Sequence, residues 1–164
     1  MRKLMGLMIV LSLLLAGGCG SKEWKPYTSK EGGFTVLFPG EPAKADTPGN
    51  GVMYAARVSG GEVSVAYATM PMVPSGDAEQ MRILHAARDG SLRSGKATLK
   101  SSTDGKYDGC NAVDYTGFAT AENQWFVAKA FIKGSRLYFV AYGGPKSFID
   151  SAEAKQFMTS FKLD

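Results

Sequence analysis

Two thiols, one imidazole and a run of aspartates are the side chains of this chain best suited to chemistry. Cys19 and Cys110 are its two cysteines and His85 its single histidine. A cysteine nucleophile needs a neighbouring base to hold it as thiolate, and His85 is the only imidazole that could serve Cys110. Cys110 lies in Tyr107-Asp108-Gly109-Cys110-Asn111-Ala112-Val113, where a small buried, inert thiol is the expected role. His85 falls within a helical pattern, where a partly exposed or hydrogen-bonded position is expected. Asp104, Asp108 and Asp114 are close in sequence, as a calcium loop would require. Asp104-Gly105 and Asp108-Gly109, however, are turn dipeptides, which account for two of the three. No metal is therefore expected. Gly143-Gly144-Pro145 precedes a helical segment but lacks the Lys-Ser/Thr pair of a phosphate loop, and Pro145 removes an amide donor. No serine elbow is present. These residues predict no enzyme and no cofactor.

Cys19 has a different setting. Arg2 and Lys3 precede an apolar run, Leu4 to Ala16, and Gly17-Gly18 lead into the cysteine. A charged start, a short apolar stretch and small residues are the parts of an export signal. The run is too short to cross a hydrocarbon core, which takes about 20 helical residues. The segment resembles a bacterial lipoprotein signal peptide, although Ala16 stands where that family usually has leucine. The resemblance implies cleavage before Cys19 and lipid attachment to its thiol. The expected organisation is a signal peptide at 1–18, a lipidated tether at 19–23 and one domain at 24–164. The expected location is the bacterial cell envelope, anchored to a membrane and facing the periplasm or exterior. Gly20 is not the aspartate that retains many lipoproteins at the inner membrane, so the outer membrane is favoured.

The 164-residue chain carries a formal charge of +4. Arg2 and Lys3 fall in residues 1–18, so the remainder has 17 basic and 15 acidic groups, a net +2. Its lysines are scattered, without the basic stripe that nucleic acid binding requires, and no nucleic acid partner is expected. With Cys19 claimed by lipid, Cys110 has no disulfide partner, so stability must come from a hydrophobic core.

The elements are legible from period and turn chemistry. Phe34–Phe38 reads as a strand ended by Pro39-Gly40. Residues 43–51 are polar and turn-rich and read as a loop or irregular edge. Three hairpins follow, turning at Gly60-Gly61, Asp104-Gly105 and Gly134-Ser135. Val63, Val65 and Tyr67 alternate with polar residues, as do Val113 and Tyr115, and Phe126, Ala128, Ala130 and Ile132 share one face. This predicts a sheet with one face on a core and one more solvated. Helices are predicted over 77–93, with an Asp77/Gln80 capping box, and over 147–161, with a Ser147/Asp150 box. Ala154, Phe157, Met158 and Phe161 give the second an apolar face. The fold class is α+β: a largely antiparallel sheet of about six or seven strands covered by two main helices.

The opening Tyr27-Thr28-Ser29-Lys30-Glu31-Gly32-Gly33-Phe34-Thr35-Val36-Leu37-Phe38-Pro39-Gly40-Glu41-Pro42 is similar to the start of PsbP-like domains. So are Phe157–Leu163 and the segment 108–115 after the middle helix, where Asn111 or Ala112 replaces a frequent second glycine. The resemblance covers residues 24–164. It implies the Mog/PsbP-type sandwich and a binding or assembly role, and transfers no catalytic residues. Trp24 and Trp125 are the candidate binding aromatics, one beside the anchor and one at a strand start; Tyr27, Tyr54, Tyr67, Tyr138 and Tyr142 read as packing residues. The function expected is non-enzymatic binding of a protein partner over a flat surface. The alternative is a small-ligand carrier with an apolar cleft between sheet and helix.

Overall fold

The computed structural model describes residues 23–164. The signal segment and Cys19 lie outside the described residues. The elements run β1 Trp24–Ser29, β2 Phe34–Pro39, β3 Ala43–Thr47, β4 Gly51–Val58, β5 Gly61–Thr69, α1 Gly76–Ser94, β6 Thr98–Tyr107, β7 Cys110–Ala119, β8 Gln124–Lys133, β9 Arg136–Gly144, α2 Lys146–Ile149, α3 Ala152–Ser160 and β10 Lys162–Leu163. Seven strands form one antiparallel sheet in the order β3-β4-β5-β9-β8-β7-β6. A second sheet, β1-β2-β10, packs on one face of it.

Both faces of the large sheet are buried, which corrects the expected single core face. Val63, Val65 and Tyr67 of β5 join Phe34, Val36 and Phe38 of β2, Phe148 of α2, Phe157 of α3 and Phe161 just after it in one core. Val113, Tyr115, Ala128, Ala130 and Ile132 point the other way and join Leu84 of α1 in a second. Strict alternation sends each strand's odd and even residues to opposite faces, so a sheet sandwiched by two layers keeps two apolar sets. The strands whose apolar alternation was plainest serve different cores.

Three turns and caps differ from the sequence reading. The β6–β7 hairpin turns at Asp108-Gly109, both at positive φ (48° and 75°), not at Asp104-Gly105. The two dipeptides are four residues apart, so both preserve the same alternation. Only the later turn lets β6 pair along the whole of β7, from Tyr107–Cys110 to Thr98–Phe118. Residues 43–47, expected as a loop or an irregular edge, form a regular edge strand, β3. The last helix breaks in two. Ser151 leaves helical geometry (ψ 156°) and its hydroxyl accepts a hydrogen bond from Ala154 N at 3.2 Å, capping α3. In α1 the cap is Ser75, whose amide donates to Glu79 Oε2 at 2.6 Å. Asp77 and Gln80 are engaged elsewhere: Asn111 Nδ2 donates to both, at 2.9 Å each. Asn111 is nearly fully buried, and Lys106 Nζ donates to its Oδ1 at 2.6 Å.

This polar seam places α1. The helix runs along β7, from Asp77 beside Asn111 to Ser91, whose hydroxyl meets that of Tyr115 at 2.7 Å. At Gly117 the backbone lies directly under Leu92 and Phe126, where any side chain would collide. One helix is about 10 Å wide and strands are spaced about 4.8 Å apart, so α1 covers roughly two strands of a seven-stranded sheet. The face over β4, β5 and part of β9 is left beside it.

Candidate functional site

That face, left uncovered by the described residues, is the candidate site. It forms a groove of about 500 Å³ between the C-terminal end of α1 and the sheet. Its floor follows the register. Ser64, Ala141 and Ala128 are direct neighbours across β5, β9 and β8, and Met53, Ala66 and Phe139 form the adjacent row. Small side chains keep the floor low, while Phe126, Phe139, Met53 and Tyr115 give it an apolar surface. Arg57 and Glu62 close one end, 4.0 Å apart. Burial raises the Glu62 carboxyl above its ordinary value against the opposing pull of Arg57. Burial likewise lifts the Tyr115 hydroxyl to about 12, with Ser91 and Arg88 acting in the opposite direction. The groove therefore presents neutral surface along its length and charge only at one end. It suits an apolar guest better than a charged one.

The residues singled out from the sequence are placed apart. His85 Nε2 lies 2.8 Å from Asp104 Oδ1, bridging α1 to the edge strand β6. Cys110 is partly exposed and its thiol donates to Asp108 O at 3.6 Å. Thiol and imidazole each have their own partner, so the structure assembles no Cys–His pair. Asp114 is held by Lys129 at 2.8 Å and Asp108 faces Lys133 at 3.6 Å, so the three aspartates have three separate basic or imidazole partners. Among the described residues no group of three His, Cys, Asp or Glu is gathered as a metal would require.

Trp24 is partly buried and packs on Phe157, ring centroids 6.5 Å apart, against the core that carries the small sheet. Trp125 borders the groove's end, but alternation turns its ring to the opposite face, against Phe118 at 4.8 Å and beneath Lys146 at 5.4 Å. Both tryptophans pack against the core on the side of the large sheet away from the groove. The groove residues Arg57, Ser64, Phe139 and Ala141 were not distinguished in the sequence. Their one signal is the run of small residues at alternate positions of β5, Ser64, Ala66 and Ala68, which reads equally as ordinary strand packing.

No protein-family model matches the chain, and no curated protein matches it. Solved structures do. The chain superposes on the cyanobacterial PsbP protein CyanoP of Synechocystis sp. PCC 6803 with a TM-score of 0.62 at 13% identity, covering 93% of this chain and 99% of that one. The fold is PsbP-like. A structure from Bacteroides thetaiotaomicron VPI-5482 matches with a TM-score of 0.51 at 13% identity, covering 85% of this chain and 48% of that one. The PsbP-like layers are those already described: an antiparallel α+β sandwich with helices on both sides of the large sheet. At this identity the likeness concerns the backbone alone, and the groove stands on this chain's own residues.

Proposed function

We propose that this chain is a lipid-anchored protein of a bacterial cell envelope that acts by binding, and that the groove beside α1 receives an apolar segment of a protein partner. The observation that carries the reading is the open groove of about 500 Å³, floored by Ser64, Ala66 and Ala141 and walled by aromatics. It is a concave surface, in place of the flat one expected from the sequence. The residues best suited to nucleophilic catalysis, Cys110 and His85, are turned to separate structural partners, which supports binding over chemistry. The anchor rests on the residues that lead into Cys19, with Gly20 favouring the outer membrane.

The test is site-specific photo-crosslinking in cells, with the reactive group at position 64 in the groove and, as a control, at exposed Thr120 outside it. A protein adduct formed at 64 and not at 120 supports the reading. Equal labelling at both sites, or turnover of a small substrate by the purified chain, sinks it. The second reading is a small apolar ligand in the same groove, favoured by a volume within the roughly 300–1,000 Å³ usual for such sites. It predicts extractable small molecules in place of a protein adduct.

A further inference from the structure

The opposite face of the large sheet holds a second arrangement that none of the foregoing uses. The turn between β1 and β2, Lys30 to Gly33, folds down over the tyrosines of that face. Its backbone is pinned twice: Gly32 N donates to Ser29 Oγ at 3.0 Å, and Tyr138 OH donates to Gly32 O at 2.8 Å. From this fixed turn Glu31 extends over the sheet to Lys44 Nζ, at 2.6 Å. Arg136 stands beside it, its guanidinium stacked 5.3 Å above the ring of Tyr67. Tyr67 is only 4% exposed, and its buried hydroxyl has no hydrogen-bond partner among the described residues. The hydroxyl and the Glu31 carboxylate face one another without reaching hydrogen-bond geometry.

Lys44 thus holds the Glu31 carboxylate directly, while the Arg136 guanidinium over Tyr67 and the buried Tyr67 hydroxyl are not bonded to it. A buried hydroxyl left unpartnered is costly and rare in a folded protein. A planar guanidinium, an ammonium and a phenolic hydroxyl are a donor set suited to a carboxylate. Glu31 meets this set imperfectly, because its reach is fixed by the pinned turn and it leaves the Tyr67 hydroxyl unused. Its side chain is also more than half exposed. It can leave by rotating its own side chain, with no movement of the backbone.

We propose that Lys44, Arg136 and Tyr67 form a carboxylate-binding site, and that Glu31 of the same chain fills it until an incoming carboxylate replaces it. The ligand is a carboxylate carried either by an acidic residue of a partner polypeptide or by a small free acid. The site lies on the face away from the groove, so its failure would leave the groove reading intact, and the reverse also holds.

The experiment compares the full-length chain with Glu31→Ala, titrating each with acetate and with the peptide Ac-Gly-Glu-Gly-NH2. Binding is followed by NMR at the Gly32 and Gly33 amides and the Arg136 side-chain N–H. Removing the internal occupant should tighten both probes about tenfold or more, the scale of one charge-assisted hydrogen bond. Glu31→Gln, which keeps the volume and loses the charge, should move affinity in the same direction. Adding Tyr67→Phe to Glu31→Ala should cancel most of the gain, which a general change of surface charge would not predict. Tighter binding of the peptide than of acetate assigns the site to a partner polypeptide; equal binding assigns it to a free acid. No gain in either Glu31 variant, or a gain that survives Tyr67→Phe, overturns the proposal.

Discussion

Phe157→Ala tests how the two halves of the molecule are joined. Phe157 is completely buried in α3, and its ring lies 5.4 Å from Phe38 of β2 and 6.5 Å from Trp24 of β1. It is the point where helix, small sheet and large-sheet core meet. Removing the ring deletes its transfer free energy and leaves a cavity walled by two β-strands that cannot collapse without breaking their ladder. The expected loss is about 3–5 kcal/mol. For a domain of this size that corresponds to a fall in Tm of about 6–20 °C, at roughly 2–4 °C per kcal/mol. Met158, the next residue, is only half buried, so Met158→Ala should cost about 1–2 kcal/mol and serves as the comparison. The assay is urea unfolding followed by tryptophan emission in a Trp125→Phe background, so that Trp24 alone reports. Trp24 should also emit further to the red in the folded Phe157→Ala variant, because one wall of its pocket is gone. A loss below about 1.5 kcal/mol, or equal losses for Phe157→Ala and Met158→Ala, would refute the packing argument.

The remaining predictions concern backbone, titration and anchor. Gly61→Ala should destabilise by about 1–3 kcal/mol, because a methyl there runs into the ring of Phe148, while Gly105→Ala, with open space around it, should not; thermal melts of the pair check this. Tyr115 is raised to about 12 by burial, and Tyr27, Tyr67, Tyr107 and Tyr142 are raised in the same direction, chiefly by burial. Each tyrosine keeps its proton more firmly folded than unfolded, so this contribution is complete below pH 10 and is lost as pH rises from about 10 towards 12. Urea midpoints measured from pH 9 to 11 should fall, and a flat profile would contradict the assignment. Asn111→Leu should cost about 1–3 kcal/mol by leaving Asp77, Gln80 and Lys106 without their shared partner, read as a lower urea midpoint. Cys19→Ser should release the protein from the membrane fraction on cell fractionation; retention would remove the lipid anchor from the proposed function.

What could be read from the chain was whatever depends on near neighbours in sequence. Alternation in β5, β7 and β8 follows from a two-residue side-chain period and showed the sheet. Gly134-Ser135 and the 3.6-residue stripe of Ala154, Phe157 and Phe161 likewise showed a turn and a helix face. The α+β class and six of the seven strands of the large sheet follow from such local signals, β3 being the exception. Tertiary structure decided everything that depends on which neighbour competes for a group. Asp77 and Gln80 have the spacing of a capping box, yet Asn111, 34 residues from Asp77, takes both. Two Asp-Gly dipeptides fit the same alternation, and only pairing along the full length of β7 selects Asp108-Gly109. The groove exists because one helix about 10 Å wide lies along β7 and leaves small residues of β4, β5 and β9 beside it, which no local pattern records. Glu31, Lys44, Tyr67 and Arg136 belong to four separate elements, and only the packing of the β1–β2 hairpin on the large sheet brings them together. Local periodicity specifies elements, whereas the choice among partners of similar chemistry is made by distance in three dimensions.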